Sequence, residues 1–499
     1  MEDTFQQLKE YFDEINNYVN LGALVYWNMS TIMPSDAAEL WGNTSAILSG
    51  KVHEILTSDK VGKLLGALEA NKDKLNEVDL RMYELLNKDY TESKRYSKDF
   101  EMEFALTCAE GTTAWQKAKI ADDFNIFKPV LQKLIDLTKQ KIEIRGYKEN
   151  KYDALLDLYE SGLTVKKLDK VFAELRDGIM EILTKIQACT PIKDALSGKT
   201  YPADIQAKLC DEIVDCMGFD RKRGVIAESE HPFTLNMENK DVRITNHYYE
   251  NDVRSALYSA IHECGHALYE QDIPDKFKAK GPVFSAACMS IHESQSRYYE
   301  NLICKSKAFA HYLYPIVNKY FDISDITEDA FYKSLNIVTP SLVRTEADEL
   351  TYSIHVIIRY EIEKMIFNDM VTVDELPQVW NQKYEEYLGV KVPNDKEGVL
   401  QDMHWSDASF GYFPSYALGN LYGAQMLHTM KKDIPNLDKE LAQGNLAIVH
   451  NWLNEHVHKY ANMYDAGDLI KKITGEELNA KYFLDYLDEK FSSIYGYKR

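Results

Sequence analysis

Proline and glycine are scarce in this chain, with 13 and 23 among 499 residues. So few helix breakers, beside abundant Leu, Lys, Glu, Ala and Tyr, point to a mostly helical fold. Cysteine is thinly spread as well. Cys108, Cys189, Cys210, Cys216, Cys264, Cys288 and Cys304 are odd in number and form no C-x-x-C pair, which argues against a disulfide framework and a zinc knuckle. No stretch approaches the ~18 apolar residues of a membrane span. Positive charge is in deficit: 58 Lys and Arg against 79 Asp and Glu give a formal net charge of −21. With no basic stripe for phosphates, nucleic acid and anionic membrane are not expected as partners. Glu2, Asp3, Lys9 and Glu10 leave no room for the apolar core of a signal peptide, so a reducing, cytoplasmic location is expected.

What is present is mostly helical periodicity. Phe5, Leu8, Tyr11, Phe12, Ile15 and Val19 predict an amphipathic helix over 2–21, and Tyr26 to Pro34 reads as a break that opens the next helix. Thr91–Lys119 and Phe127–Arg145 read as the longest helices of the first third, and another runs from Leu163 to about Ala188. One segment departs from this pattern. Phe233–Met237 and Val242–Asn246 are short and β-prone with four polar residues between them, predicting an antiparallel ribbon. Such a ribbon serves either as structure or as an edge strand for an extended peptide. No internal repeat, low-complexity segment or linker divides the chain.

The chemistry centres on Ala260-Ile261-His262-Glu263-Cys264-Gly265-His266, within a helix expected from about Asp252 to Glu270. Residues four apart on a helix share a face, so the two imidazoles can grip one Zn²⁺. Glu263 then stands beside a water on the metal and can take its proton, the arrangement of H-E-x-x-H hydrolases. The ordinary alternative is a buried, hydrogen-bonded histidine pair. Gly265 inside the helix costs about 1 kcal/mol relative to Ala, which suggests a close approach there. A catalytic zinc needs a third protein ligand. Asp272 lies at the spacing of compact sites, but these want glycine where Tyr269 stands. A carboxylate on the following helix, roughly 285–305, is the better choice: Glu293, with Glu300 two turns on as the fallback.

Several stretches then fall into one order: His231-Pro232-Phe233, Asp241-Val242-Arg243-Ile244-Thr245, His262–His266, His292-Glu293-Ser294-Gln295, Val343-Arg344-Thr345-Glu346-Ala347-Asp348, and Gly398 to Trp405 with Gln401-Asp402-Met403-His404 inside. This set resembles the Taq-type thermostable metallocarboxypeptidase family over nearly the whole chain, down to Gly411–Asn420 and Thr474-Gly475-Glu476. Asn28 and Val343 stand where the family pattern has Asp and Ile.

The resemblance implies a single domain over 1–499, all-α apart from a small antiparallel ribbon beside the active site. It also implies two lobes around a groove, similar to angiotensin-converting enzyme and neurolysin. The implied activity is release of single amino acids from peptides with a free C-terminus, using Zn²⁺ or Co²⁺, by a homodimer. Under this reading His262, His266 and Glu293 are the metal ligands and Glu263 is the general base. His404, Tyr412 and Tyr416 are the candidates to stabilise the oxyanion. Arg344, then Arg243, would receive the substrate's terminal carboxylate through the bidentate guanidinium fork. His231 and Gln295 would line the groove, and Asp348 or Glu346 would support the ligand histidines from behind. The competing readings are an oligopeptidase that cuts internal bonds or releases dipeptides, and a non-catalytic helical binding protein.

Overall fold

The computed structural model describes residues 2–499. Helices dominate, as the scarcity of breakers predicts, and they enclose one three-stranded sheet. The first helix is longer than its apolar period suggests, running Glu2–Thr31 straight through Trp27. Nothing from Tyr26 to Thr31 forbids helix, and the buried Trp27 ring meets Phe233 edge-on at 5.9 Å, which rewards continuing it. Pro34 then opens a short 3₁₀ turn, and Ala38–Leu56 packs back along the first helix. The single helix expected over Thr91–Lys119 is two. Glu77–Arg95 ends before Ser97, whose hydroxyl accepts from the amide of Phe100 and so starts Lys98–Ala121. Lys128–Arg145 and Val165–Gln187 follow closely where the periodicity puts them.

The ribbon is present, with a partner the sequence reading did not include. Strand β1 (Gly224–Glu228) runs parallel to β3 (Val242–Asn246), and β2 (Thr234–Asn236) runs antiparallel to it on the other side. The order β1-β3-β2 leaves β2 at an edge. Thr234 lies opposite Ile244 and Asn236 opposite Val242, so these four side chains share one face by the period-2 rule. That face lies on the helix Val253–Gln271. Leu235 and Arg243 occupy the opposite face.

The metal-motif helix is fixed by its start and its depth. The Asp252 carboxylate accepts from the amide of Arg254 and caps it, and Ala256, Leu257, Ile261, Cys264 and Leu268 are buried along it. Next in sequence, Met289–Arg297 crosses it and continues into a π-helical turn over Tyr298–Ile303. Pro414–Asp433 packs against the far side of Met289–Arg297. Two glycines permit both approaches. A Cβ on Gly265 would stand 2.8 Å from the Gln295 carbonyl oxygen and the Ser296 Cα, and one on Gly419 would stand 2.7 Å from Glu293 Cγ. The helix carrying Glu293 is therefore held closely at two points where the neighbouring helix offers only main chain.

Candidate metal centre

His262 and His266 project from one face of their helix with ring centroids 4.9 Å apart. Glu293 Oε2 lies 3.6 Å from His262 Nε2 and 3.4 Å from His266 Nε2. These spacings are long for hydrogen bonds. They match the ~3.3 Å that separates two ligand atoms held tetrahedrally at about 2.05 Å from one cation.

The protons around the histidines lead to the same point. His262 Nδ1 donates to Glu300 Oε2 at 2.8 Å, so its Nε2 presents a lone pair. His292 Nε2 donates to Glu270 Oε1 at 2.8 Å, which leaves its Nδ1 to accept from His266 Nδ1 at 2.6 Å. The Nε2 of His266 is then a lone pair too. Two imidazole Nε2 atoms and a carboxylate oxygen thus face one spot, an arrangement a divalent cation satisfies. Burial pushes His266 down to about 3, keeping it neutral. Glu293 is only 5% exposed. Burial favours its neutral form, yet His262, Arg297 and His266 overcome this and hold the carboxyl below its usual range. Its other oxygen accepts from Arg297 Nε at 2.8 Å, leaving one oxygen for a metal. The same arginine donates to Glu300 Oε2 at 3.0 Å and lies over the Tyr352 ring.

Glu300, the fallback ligand, therefore belongs behind His262, to which the wide π turn aims it. Glu263 is buried beside the ligands, and burial raises its pKa. The hydroxyl of Thr234 stands 2.5 Å from Glu263 Oε2.

Along the late segment, His404, Tyr412 and Tyr416 form one aromatic group. The His404 ring stacks on Tyr412 at 5.8 Å, Tyr412 meets Tyr416 edge-on at 5.0 Å, and His404 Nε2 lies 3.4 Å from the Tyr416 hydroxyl. Burial lowers His404 to about 4, so it is a neutral donor at pH 7. Burial raises the pKa of both tyrosine hydroxyls, which keeps them protonated donors.

Arg344 is buried beneath this group, with its guanidinium over Tyr416 at 4.9 Å. It donates to Asp402 Oδ1 from Nε at 3.1 Å and from Nη2 at 3.0 Å, and to the Tyr352 hydroxyl. Arg359 pairs with the other oxygen of Asp402. Two guanidiniums thus share one carboxylate and leave an excess of one positive charge. Arg243 has a local partner instead. Its fork engages both oxygens of Asp241 at 2.8 Å, and it lies over Trp27 on the sheet face away from the metal helix. His231 is exposed in the loop before β2.

Three expectations need correction. Gln295 does not line a groove. It is fully buried and its side-chain amide meets His458 at 2.9 Å, because two residues past Glu293 on a helix is about 200° around the axis. Asp348 does not back a ligand histidine; it accepts from the amides of Thr339, Leu350 and Thr351 and organises the start of the helix Tyr352–Phe367. Glu346 is exposed. The supports are Glu300 for His262, and His292 with Glu270 for His266. His292 was recognisable from its place beside Glu293. Arg297 and Thr234 carried no spacing signal strong enough to single out.

An H-E-x-x-H helix crossed by a glutamate helix, in a helical fold with a small sheet, defines a metallopeptidase class of site. The sequence profile described as "Carboxypeptidase Taq (M32) metallopeptidase" matches residues 7–491, and the chain belongs to this family of carboxypeptidases. It is 41% identical to Carboxypeptidase 1 of Bacillus subtilis (strain 168), over 98% of each chain. It is 33% identical to Thermostable carboxypeptidase 1 of Pyrococcus furiosus, over 98% of this chain and all of the relative. Among solved structures it superposes on the M32 carboxypeptidase from Deinococcus radiodurans R1 with a TM-score of 0.96 at 32% identity, covering 99% of this chain and 100% of that one. Family membership implies a divalent metal and peptide substrates, and among the described residues no helix is long and apolar enough to cross a membrane.

Proposed function

We propose that this metallocarboxypeptidase releases amino acids one at a time from the free C-terminus of peptides, with Zn²⁺, replaceable by Co²⁺, held by His262, His266 and Glu293. The convergence of one carboxylate oxygen with two imidazole nitrogens whose rings direct Nδ1 elsewhere carries this reading. A divalent cation bound there supplies Lewis acidity to the scissile carbonyl and to the attacking water. Glu263 takes the water's proton and hands it to the leaving amine, a role suited to a buried carboxyl whose pKa is raised. Tyr412, Tyr416 and neutral His404 donate to the oxygen that becomes negative. The positive charge left over by Arg344, Arg359 and Asp402, close beneath Tyr416, favours an incoming carboxylate, with Arg344 nearest to Tyr416 of the two arginines.

The whole chain acts as one domain with two lobes around a groove. It works as a homodimer in a reducing, cytoplasmic setting, in keeping with seven free cysteines. Time-resolved mass spectrometry of a peptide pool tests the activity, using free and C-terminally amidated copies, with chelator and Zn²⁺ add-back. Single-residue ladders from free C-termini alone, abolished by chelator and restored by metal, are expected. Internal cuts, or equal trimming of amidated peptides, would refute exopeptidase action.

A further inference from the structure

The edge strand β2 touches the metal helix through two side chains, and both end on carboxylates. The Thr234 hydroxyl stands 2.5 Å from Glu263 Oε2 and 3.0 Å from the Glu263 carbonyl oxygen. Asn236 Nδ2 donates to Glu270 Oε2 at 2.7 Å, while Glu270 Oε1 accepts from His292, the ring that supports His266. Two strand residues on one face therefore meet two helix residues seven apart, which also share a face. We propose that Thr234 and Asn236 are positioning residues with separate duties: Thr234 orients the general base, and Asn236 steadies the outer support of the metal ligand His266. This deepens the metallocarboxypeptidase reading and rests on it.

The duty of Thr234 follows from its single proton. One hydroxyl sits between two oxygen atoms of the same residue, so it donates to only one at a time. While Glu263 is a carboxylate, the hydroxyl donates to Oε2. That donation fixes the Glu263 side-chain rotamer and leaves its other oxygen, Oε1, to take the water's proton. Asn236 sits outside this exchange. Its amide fixes Glu270, Glu270 fixes the His292 tautomer, and His292 fixes which His266 nitrogen faces the metal.

The test compares Thr234→Val, Thr234→Ser and Asn236→Ala as Zn²⁺-loaded, full-length proteins, all checked by thermal unfolding. It reads kcat and KM on one peptide and the rate of Zn²⁺ release to a chromogenic chelator. Thr234→Val should lower kcat about 10- to 100-fold with KM within about threefold and Zn²⁺ release unchanged. Thr234→Ser should restore kcat to within about threefold of the parent. Asn236→Ala should speed Zn²⁺ release about tenfold or more. A Thr234→Val protein with parental kcat, a Ser variant no better than Val, or equal Zn²⁺ release from Val and Ala variants would each overturn the assignment. A parent chain that takes up no Zn²⁺ would instead overturn the underlying metallopeptidase reading.

Discussion

Two clusters in this molecule each contain two histidines and one carboxylate, and the same helix serves both. His262, His266 and Glu293 form one; Asp272, just past that helix, with His450 and His458 forms the other. Their ligand sets would suit the same ions, yet their dimensions differ. In the first, carboxylate oxygen and imidazole nitrogens stand 3.4 and 3.6 Å apart, leaving space for an ion between them. In the second, Asp272 Oδ2 lies 2.7 Å from His450 Nε2 and 2.8 Å from His458 Nδ1, hydrogen-bond lengths that only a proton fits. Burial opposes the Asp272 charge, but the two rings overcome it and hold its pKa below the usual range. Less than 1 Å, together with where each ring's N–H points, separates the proposed metal site from a structural tie.

The sharpest way to break this contrast is to remove one ligand from each cluster and count metal. His266→Ala should reduce bound Zn²⁺ from about one per chain to near none and abolish peptide hydrolysis, as three protein ligands are the minimum for such sites. Zinc analysis of the purified variant checks this; full retention would show that the metal lies elsewhere. Glu263→Gln separates binding from chemistry at the first cluster. Zinc content should stay at the parental level while kcat falls about 10²- to 10⁴-fold. Unaltered kcat would mean that another group takes the proton.

Asp272→Asn should leave zinc content unchanged and lower unfolding stability by about 2 kcal/mol, the usual worth of hydrogen bonds to a buried charged group. Denaturant titration measures it. Since folding depresses the Asp272 pKa, its contribution is fully present above pH 3.8 and is lost as pH falls below that value. A fall in zinc content would make the second cluster a metal site after all.

The smallest effect concerns Glu363, which ties down the segment carrying His404. It accepts from Trp405 Nε1 at 2.8 Å, from the Gly411 amide at 2.7 Å and from the Tyr152 hydroxyl at 2.6 Å. Burial raises it from 4.5 to about 7. Between those values the folded chain binds more protons than the unfolded one, so this group lowers stability as pH rises from 4.5 to 7, by on the order of 1–3 kcal/mol. Glu363→Gln should flatten that part of the pH profile; an unchanged slope would assign it to other groups.

The metal helix was readable because its information is local: four-residue spacing sets two histidines on one face whatever surrounds them. Glu293 came from its place on the next helix, and the ribbon from a short β-prone pair around a polar turn. The misreadings lie where distant contacts decide. Trp27 stays helical because Phe233 covers it, and β1 forms because β3 offers an open edge. Gln295 is a different case: its two-residue offset from Glu293 already turned it away, so helical geometry alone contained the correction.

Gly265 and Gly419 set the tolerance of the whole centre. Because the Glu293 segment lies close against the main chain of Gly265 on one flank and of Gly419 on the other, its position has hard stops in both directions. Packing built from flexible side chains can creep by fractions of an ångström as they change rotamer; a backbone resting on backbone cannot. The gap that selects an ion over a proton is thus held by the least compliant material the molecule has.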